Sequence, residues 1–439
     1  MEKIIGIRRE DKNEWEKRVP LMPDDVKGLK KKYGIHTIIQ PSKIRVYSDD
    51  EYRKAGAEIN EDLSKASLIL AVKEIPETMF KKGKTYLFFS HTIKGQSYNM
   101  PSLKKMMDLK TNLIDYERIV NENNQRLIFF GNYAGLAGMI ESFHSFGKKL
   151  KLMGLSTPFE KIKSAYQYKS LKHAKEEIKK VGEEIEDQGL PQEICPLVVG
   201  FTGYGNVSNG AQEIFNLLPH KVLSANILDN MYESLIQDRF SLYKVVFKEE
   251  DIVKPLKGEF DLQDYYDNPE KYVSKFENYI PYLQILINCI YWTEDYPRLI
   301  TKEYLKNNTI LKSNLNLKVI GDVSCDINGS IEITYKSTKP DKPDFTYFAE
   351  EDRFKDGPQR RGVTVVAVDN LPCEFPMESS SAFSSVLKSF VNDIVCADFD
   401  NDFEYLKLPF PIKKALILHR GELMKDYKYL NKFLNKEQI

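Results

Sequence analysis

Four stretches of this sequence carry residues whose type and spacing could do chemistry. The most specific is residues 196–211, PLVVGFTGYGNVSNGA, where an apolar run leads into Gly203 and Gly205, then Gly210-Ala211, then the amphipathic AQEIFNLL. A strand, a glycine turn and a helix N-terminus together can cradle a pyrophosphate. One glycine permits the tight turn, the next lets backbone N–H groups at Gly205, Asn206 and Val207 approach the phosphates, and the third lets the helix lie against the strand. The spacing Gly-x-Gly-x-x-x-x-Gly is looser than Gly-x-Gly-x-x-Gly, and a tight strand-to-helix turn with no ligand would also produce it. Tyr204 stands where a smaller residue is expected and would crowd the pyrophosphate. The next strand-like run, His220–Leu223, ends in Ser224-Ala225-Asn226, and the first carboxylate after it is Asp229. A carboxylate at that strand end would accept the ribose hydroxyls, whereas Ser224 and Asn226 tolerate a 2′-phosphate, which places NADP(H) ahead of NAD(H).

The other three stretches lie near the N-terminus: Arg8-Arg9-Glu10 with Arg18, Lys73-Glu74, and His91 with Lys94. Lys73 follows the apolar run SLILAV and His91 follows YLFFS, so both sit at the carboxyl ends of expected strands, where a doubly wound sheet opens its crevice. Taken singly, Lys73 also fits a solvated strand end and His91 a hydrogen-bonded turn residue.

The elements that must position these residues alternate in type. Strand-like runs occur at Ile4–Arg8, His36–Gln40, Ser67–Lys73, Tyr86–Ser90, Thr111–Tyr116 and Leu127–Phe130. Between the first two lies a helical stretch, Asp24–Tyr33, stopped by Gly34, and Ser48 or Asp49 caps another. Later runs are Lys221–Leu223, Gln284–Ile290, Leu317–Val323 and Gly362–Val368, with long helices over Gly131–Leu152, Ser170–Gly189 and Ser379–Ala397. This alternation predicts an α/β chain of two Rossmann-like, doubly wound parallel-sheet domains separated by a cleft. The division expected is residues 1–133, completed by 372–439, for substrate and catalysis, and residues 134–371 for the dinucleotide. The charged, aromatic stretch 228–279 reads as an insertion, Lys336–Arg361 as an exposed loop or flap, and Leu408–Leu434 as helical.

Composition narrows the function classes. Lys+Arg and Asp+Glu both number 64, a net charge of zero, which argues against nucleic acid or an anionic membrane as partner. The longest apolar runs, such as Tyr282–Trp292, are too short for a membrane helix, and the charged start MEKIIGIRRED is no signal peptide. Five cysteines without a Cys-x-x-Cys predict neither a disulfide framework nor a metal site, and fit a reducing cytoplasm.

Together the segments IRREDKNEWEKRVPLMP, QPSKIRVYSDDEYRKAGAEI, LAVKEIPE, YLFFSHTIKGQ, LIDYERIV, GNYAGLAGMI, FTGYGNVSNGAQEIF, INCIYW, GDVSCDINGSIE and VDNLPCEFPMESS run collinearly from residue 4 to about 385. In this they resemble the lysine–ketoglutarate reductase family, the saccharopine-forming group of the alanine dehydrogenase and transhydrogenase-like superfamily. The resemblance implies an NAD(P)-dependent oxidoreductase that joins lysine to 2-oxoglutarate reversibly, giving saccharopine, with small-molecule partners and no metal. Relatives fuse this unit to a second enzyme, so the chain is expected to be monofunctional.

By resemblance Lys73 and His91 are the acid–base pair. Arg18 and Lys94 supply a field that lowers the Lys73 pKa, and Glu74 and Glu117 tune or orient the cluster. Arg18 and Arg126 hold the substrate carboxylates, with Arg8 a third clamp. Asp322 and Asp326, in GDVSCDING, follow a second-domain strand, and one of them positions the nicotinamide ribose or the substrate amine.

Two rivals remain. An alanine or opine-type dehydrogenase would share the glycine loop and the Lys/His pair, and the several cations favour the larger, more anionic substrate against it. A non-catalytic nucleotide or lysine sensor would share the fold, and the intact Lys73 and His91 speak against that.

Overall fold

The computed structural model describes residues 2–235, 238–311 and 316–434, which form two compact units, Met1–Phe130 with Pro376–Ile439, and Gly131–Phe375. The breaks fall just before helix α4 (Gly131–Leu152) and helix α11 (Pro376–Cys396). Among the described residues no helix is long and apolar enough to cross a membrane.

The first unit is an eight-stranded sheet. Its strands are β1 (Ile4–Ile7), β2 (His36–Ile39), β3 (Glu58–Ile59), β4 (Leu68–Leu70), β5 (Thr85–Phe88), β6 (Asn112–Asp115), and, from the C-terminal segment, β17 (Leu416–His419) and β18 (Glu422–Leu423). The order is β18-β17-β6-β5-β4-β1-β2-β3, parallel from β3 to β6 and antiparallel at β17 and β18. Helices α1 (Pro23–Tyr33), α2 (Asp49–Lys54), α3 (Met100–Asp108), α11, α12 (Phe410–Ala415) and α13 (Asn431–Leu434) complete it. α1 starts on Pro23 and stops on Gly34 at φ 67°, a left-handed cap that suits glycine. α2 is closed by a Ser48–Glu51 capping box. The core strands are buried on both sides, so they read as continuous apolar runs.

Two expectations fail here. Leu408–Leu434 is not helical throughout. Its run LILH is β17, turned back on β18 by Arg420 and Gly421, both at positive φ, as a two-residue hairpin requires. A four-residue apolar run cannot choose between helix and strand until it has an edge to join, and β6 supplies that edge. Leu127–Phe130 is not a strand either: Ile128 sinks into the core and Phe130 stacks on Phe383 at 4.8 Å.

The second unit holds β7 (Val198–Thr202), β8 (His220–Leu223), β9 (Leu242–Phe247), β12 (Ile285–Asn288), β13 (Val319–Asp322), β14 (Asp344–Phe348), β15 (Arg353–Asp356) and β16 (Val363–Val366), in the order β15-β14-β16-β13-β12-β7-β9-β8. β14 is antiparallel to β15 and β16; the rest pair in parallel. A small antiparallel pair, β10 (Val253–Pro255) with β11 (Tyr272–Ser274), stands outside it. The helices are α4, α5 (Leu171–Gln188), α6 (Asn206–Phe215), α7 (Leu228–Leu235), α8 (Glu249–Ile252), α9 (Leu262–Asp267) and α10 (Lys302–Leu311). Val199, Phe201, Ile285 and Ile287 pack with Phe143 of α4 and Ile214 of α6, while Val198, Leu286, Ile320 and Val365 pack with Leu228 of α7. Alternate residues thus serve opposite faces, and the sheet is covered on both.

The 228–279 stretch is therefore not simply an insertion, because its run LYKVVF is β9, the neighbour of β7. Lys336–Arg361 is not a loop: it contains β14 and β15, with Phe345 and Tyr347 fully buried. Both stretches look exposed because charged residues crowd around short apolar runs. Burial of those runs is decided by the strands they meet.

Candidate active site

In the first unit, β1, β4, β5 and β6 lie side by side, about 4.8 Å apart, with their carboxyl ends on one edge. Each end delivers a candidate: Arg8 after β1, Lys73 and Glu74 after β4, His91 after β5, Glu117 after β6. His91 holds a left-handed backbone at φ 52°, unusual for a residue with a side chain, and its carbonyl accepts from the Asn99 amide at 3.0 Å. Its ring stacks on Phe89, and Nδ1 lies 2.6 Å from Glu74 Oε1. The Glu74 carboxyl is opposed by burial, yet the His91 hydrogen bond and charge, with Lys12 at 3.2 Å, pull it down to about 2. An ionised carboxylate can only accept, so the His91 Nδ1–H donates to it. Lys73 is half-buried, and among the described residues its ammonium forms no ion pair.

Below this layer sits Asp115, fully buried at the end of β6. It accepts from the Ser90 amide at 2.9 Å and the Glu117 amide at 2.7 Å, fastening the turn before His91 to the turn that carries Glu117. Burial, then the Glu117 charge, pushes its carboxyl up to about 6.

The expected carboxylate clamps separate into two kinds. Arg126 is half-exposed, with Nη2 on Glu117 Oε1 at 3.1 Å, and Lys94 is exposed. Arg18 is buried; its Nε and Nη2 engage Glu16 Oε1 and Oε2 at 2.8 and 2.7 Å, and its guanidinium lies 4.1 Å over Phe130. That edge of the fork is committed to an internal carboxylate and not presented to a substrate. Arg8 is 3% exposed and donates to the Arg9 carbonyl and to Asp11, so the third clamp expected there is a structural ion pair. Glu16, which had no expected role, carried a signal in its Glu-x-Arg spacing to Arg18.

In the second unit, β7 enters the glycine turn with Gly203 at φ 81°, and Gly205 caps α6. A Cβ on Gly205 would meet nothing within 4 Å, so this face of the turn is open in front of the α6 N-terminus, where Asn206 and Val207 present their N–H groups. The residues fit a pyrophosphate. Gly210 does not face the strand, as expected, but the α4 backbone: a Cβ there would fall 2.1 Å from the Asn132 carbonyl oxygen, and one on Gly135 of α4 would fall 1.8 Å from that of Val207. Tyr204 is half-exposed and donates its hydroxyl to Glu249 Oε2 at 3.2 Å, while Tyr266 donates to Oε1 at 2.8 Å.

That contact exposes a mistaken neighbour. Ser224 and Asn226 follow β8, the edge strand, two strands or roughly 10 Å from β7. The strand beside β7 is β9, with Thr202 opposite Phe247, and it ends in Lys248-Glu249. A carboxylate therefore does stand at the adjacent strand end, and Ser224 and Asn226, one strand further out, do not favour NADP(H) over NAD(H). The signal was present in LYKVVFKEED, a strand pattern closed by acids.

Asp322 is 1% exposed and binds inward. It accepts from Asn288 Nδ2 at 2.8 Å and Thr334 Oγ1 at 2.6 Å, and Thr202 Oγ1 donates to Asn288 at 2.9 Å, so one polar chain ties β7, β12 and β13. Burial pushes its carboxyl up to about 6 against these hydrogen bonds. Asp326 is half-buried, which makes it the more accessible of the two. Among the described residues no cluster of His, Cys, Asp or Glu could hold a metal ion.

Comparison with known proteins gives matches over most of the chain. Residues 6–137 match the alanine dehydrogenase/PNT N-terminal domain family, and residues 249–426 the C-terminal domain family. The chain is 40% identical over 445 residues to alpha-aminoadipic semialdehyde synthase of Arabidopsis thaliana, covering 97% of this chain and 41% of the plant protein. It thus spans less than half of that relative's length. It is 27% identical to saccharopine dehydrogenase [NAD(+), L-lysine-forming] of Neurospora crassa, covering 87% of this chain and 88% of that one. Among solved structures, an L-alanine dehydrogenase shares the fold with a TM-score of 0.62 at 16% identity, covering 98% of this chain and 99% of that chain.

Proposed function

The chain belongs to the alanine dehydrogenase/PNT superfamily, and within it we propose that this protein joins L-lysine to 2-oxoglutarate by reductive condensation, reversibly, to give saccharopine. The observation that carries this reading is the His91–Glu74 pair at 2.6 Å beside Lys73, on adjacent strand ends of a chain similar along its length to a saccharopine dehydrogenase. Gly203, Gly205 and the α6 N-terminus would hold a nicotinamide dinucleotide, which when bound would supply the hydride.

The residues divide the proton work. Attack of the lysine ε-amine on the keto carbon needs the amine unprotonated, and the His91 lone pair, with Nδ1–H anchored on ionised Glu74, takes that proton. Loss of water from the carbinolamine needs a donor at its oxygen, and the Lys73 ammonium supplies it. Dehydration leaves an iminium, whose reduction would give the secondary amine, and His91 is the acid–base group placed for the reverse direction. Arg126, half-exposed and braced by Glu117, offers a planar fork to a substrate carboxylate, with Lys94 as a second cation. Glu249, at the end of β9, is placed to accept from the adenosine ribose hydroxyls, and Asp326, half-buried where Asp322 is fully buried, is the carboxylate left for the nicotinamide ribose.

The test is absorbance at 340 nm with lysine, 2-oxoglutarate and each of NADPH and NADH, against pyruvate plus ammonia. Oxidation that requires both lysine and 2-oxoglutarate supports the reading. Turnover with pyruvate and ammonia alone would replace it with the alanine dehydrogenase reading, and dinucleotide binding without turnover of either would favour a sensor.

A further inference from the structure

We propose that Glu10 is a positioning residue for Lys73, its buried carboxylate clamping the backbone amides of Val72 and Lys73. The inference deepens the reading above and rests on Lys73 being an acid–base group.

The geometry follows from where β1 ends. Its last tie to β4 is the Arg8 amide on the Leu70 carbonyl at 2.9 Å; beyond it the chain leaves the sheet. The amides of Val72 and Lys73 therefore have no β1 carbonyl to pair with, and inside the protein unpaired amides are costly. Glu10 fills the gap: Oε1 accepts Val72 N–H at 2.6 Å and Oε2 accepts Lys73 N–H at 3.0 Å. Two consecutive amides converging on one anion form a small nest. On the other side of the same segment, Ala71 donates to Leu87 at 3.2 Å and Phe89 donates to Val72 at 3.1 Å. Lys73 is thus held between Glu10 and the strand that leads to His91. Glu10 touches no reacting atom in this scheme; it acts through the backbone.

The clamp works only while the carboxylate is ionised, since protonation turns one acceptor into a donor facing an N–H. The groups around it are opposed. Burial and Glu16, itself held by Arg18, raise its pKa, while the two amides and Arg8 lower it, leaving it at about 7. Tyr116, whose buried hydroxyl has no partner among the described residues, also feels its charge.

The experiment uses the full chain with Glu10→Gln, which keeps one acceptor oxygen and sets an amide NH₂ against the other N–H. A misplacement of Lys73 should lower kcat by about 10- to 100-fold. The KM values for lysine and 2-oxoglutarate and the dinucleotide Kd should stay within about threefold. The acidic limb of kcat near pH 7 should be lost in the variant. Unchanged kcat, or equal losses in kcat and dinucleotide binding, overturns the proposal. Lys73→Met separates the two ideas: if it retains turnover, the role of Lys73 fails; if it is inactive while Glu10→Gln is not, only the inference about Glu10 fails. Should Glu10→Gln not fold, wild-type protein labelled with ¹⁵N-valine and ¹⁵N-lysine answers instead. The Val72 and Lys73 amide shifts should titrate together near pH 7, and pH-invariant shifts overturn the clamp.

Discussion

Gly205, at the cap of α6, and Gly210, inside that helix, should respond in opposite ways when each is given one methyl group. At Gly205 the backbone sits at φ −80°, which alanine adopts freely, and the new Cβ meets no atom within 4 Å. Gly205→Ala should therefore leave the melting temperature nearly unchanged. The methyl occupies the approach of the pyrophosphate, and loss of one or two charge-assisted hydrogen bonds at ~1.5–3 kcal/mol each raises the dinucleotide Kd by about 100-fold. At Gly210 the Cβ would lie 2.1 Å from the Asn132 carbonyl oxygen, a backbone atom that no rotamer change can move. α4 and α6 would have to part by about 1 Å, an overpacking cost of ~3 kcal/mol. The better helix propensity of alanine returns ~1 kcal/mol. The net ~2 kcal/mol corresponds to a fall in melting temperature of about 4–8 °C for a unit of this size. Thermal melts followed by fluorescence, beside titrations with NADPH and NADH, read both quantities. If Gly205→Ala binds dinucleotide like the wild type, the cradle is misplaced. If Gly210→Ala melts like the wild type, the close crossing of α4 and α6 is wrong.

Other outcomes follow from single contacts. Arg126→Ala should raise the KM for 2-oxoglutarate by about 30-fold, the worth of ~2 kcal/mol of bidentate pairing, without moving the dinucleotide Kd; equal effects on both would remove Arg126 from the substrate site. Glu249→Gln, which removes the carboxylate at the end of β9, should raise the ratio of NADPH to NADH efficiency, and an unmoved ratio would place the ribose elsewhere. Glu141 and Glu374 are both fully buried in the second unit. Burial raises both; at Glu374 the Glu141 charge raises it further, whereas their mutual hydrogen bond lowers Glu141, so the pair holds a proton far above the usual carboxylate range. Their folded pKa values exceed the unfolded ones, so the pair's full stability exists below the unfolded value near 4.5 and is lost as pH rises through the raised folded values. Glu374→Gln should then match the wild type in urea melts at low pH and exceed it in alkaline buffer; parallel curves at every pH would deny the shared proton.

Much of the site was readable because it depends on local order. A strand followed by a reactive residue is a local pattern, and SLILAVKE and YLFFSH deliver Lys73, Glu74 and His91 to strand ends on that ground alone. The glycine turn and α6 are likewise contiguous. What misled was the assumption that consecutive strands are neighbours. His220–Leu223 follows β7 in the chain, yet β9 lies between them, so the strand end beside β7 leads to Glu249 and not to Ser224 or Asn226. Arg8, Arg18 and Asp322 are a different case. Their charge suggested a ligand, but each is almost fully buried against a partner in its own unit, and burial of a charge depends on what folds over it.

By itself, then, the order of residues determined the alternation of elements, the chemistry offered at each strand end, and the existence of a helix after the glycine turn, because hydrophobic period, caps and glycine conformations act over a few residues. Only the tertiary structure decided that LILH is a strand, that LYKVVF lies beside β7, that Gly210 meets a helix, and that Glu10 holds Lys73. Each of these is a pairing between segments distant in the chain, where hydrogen bonds and close packing are satisfied by whichever partner arrives.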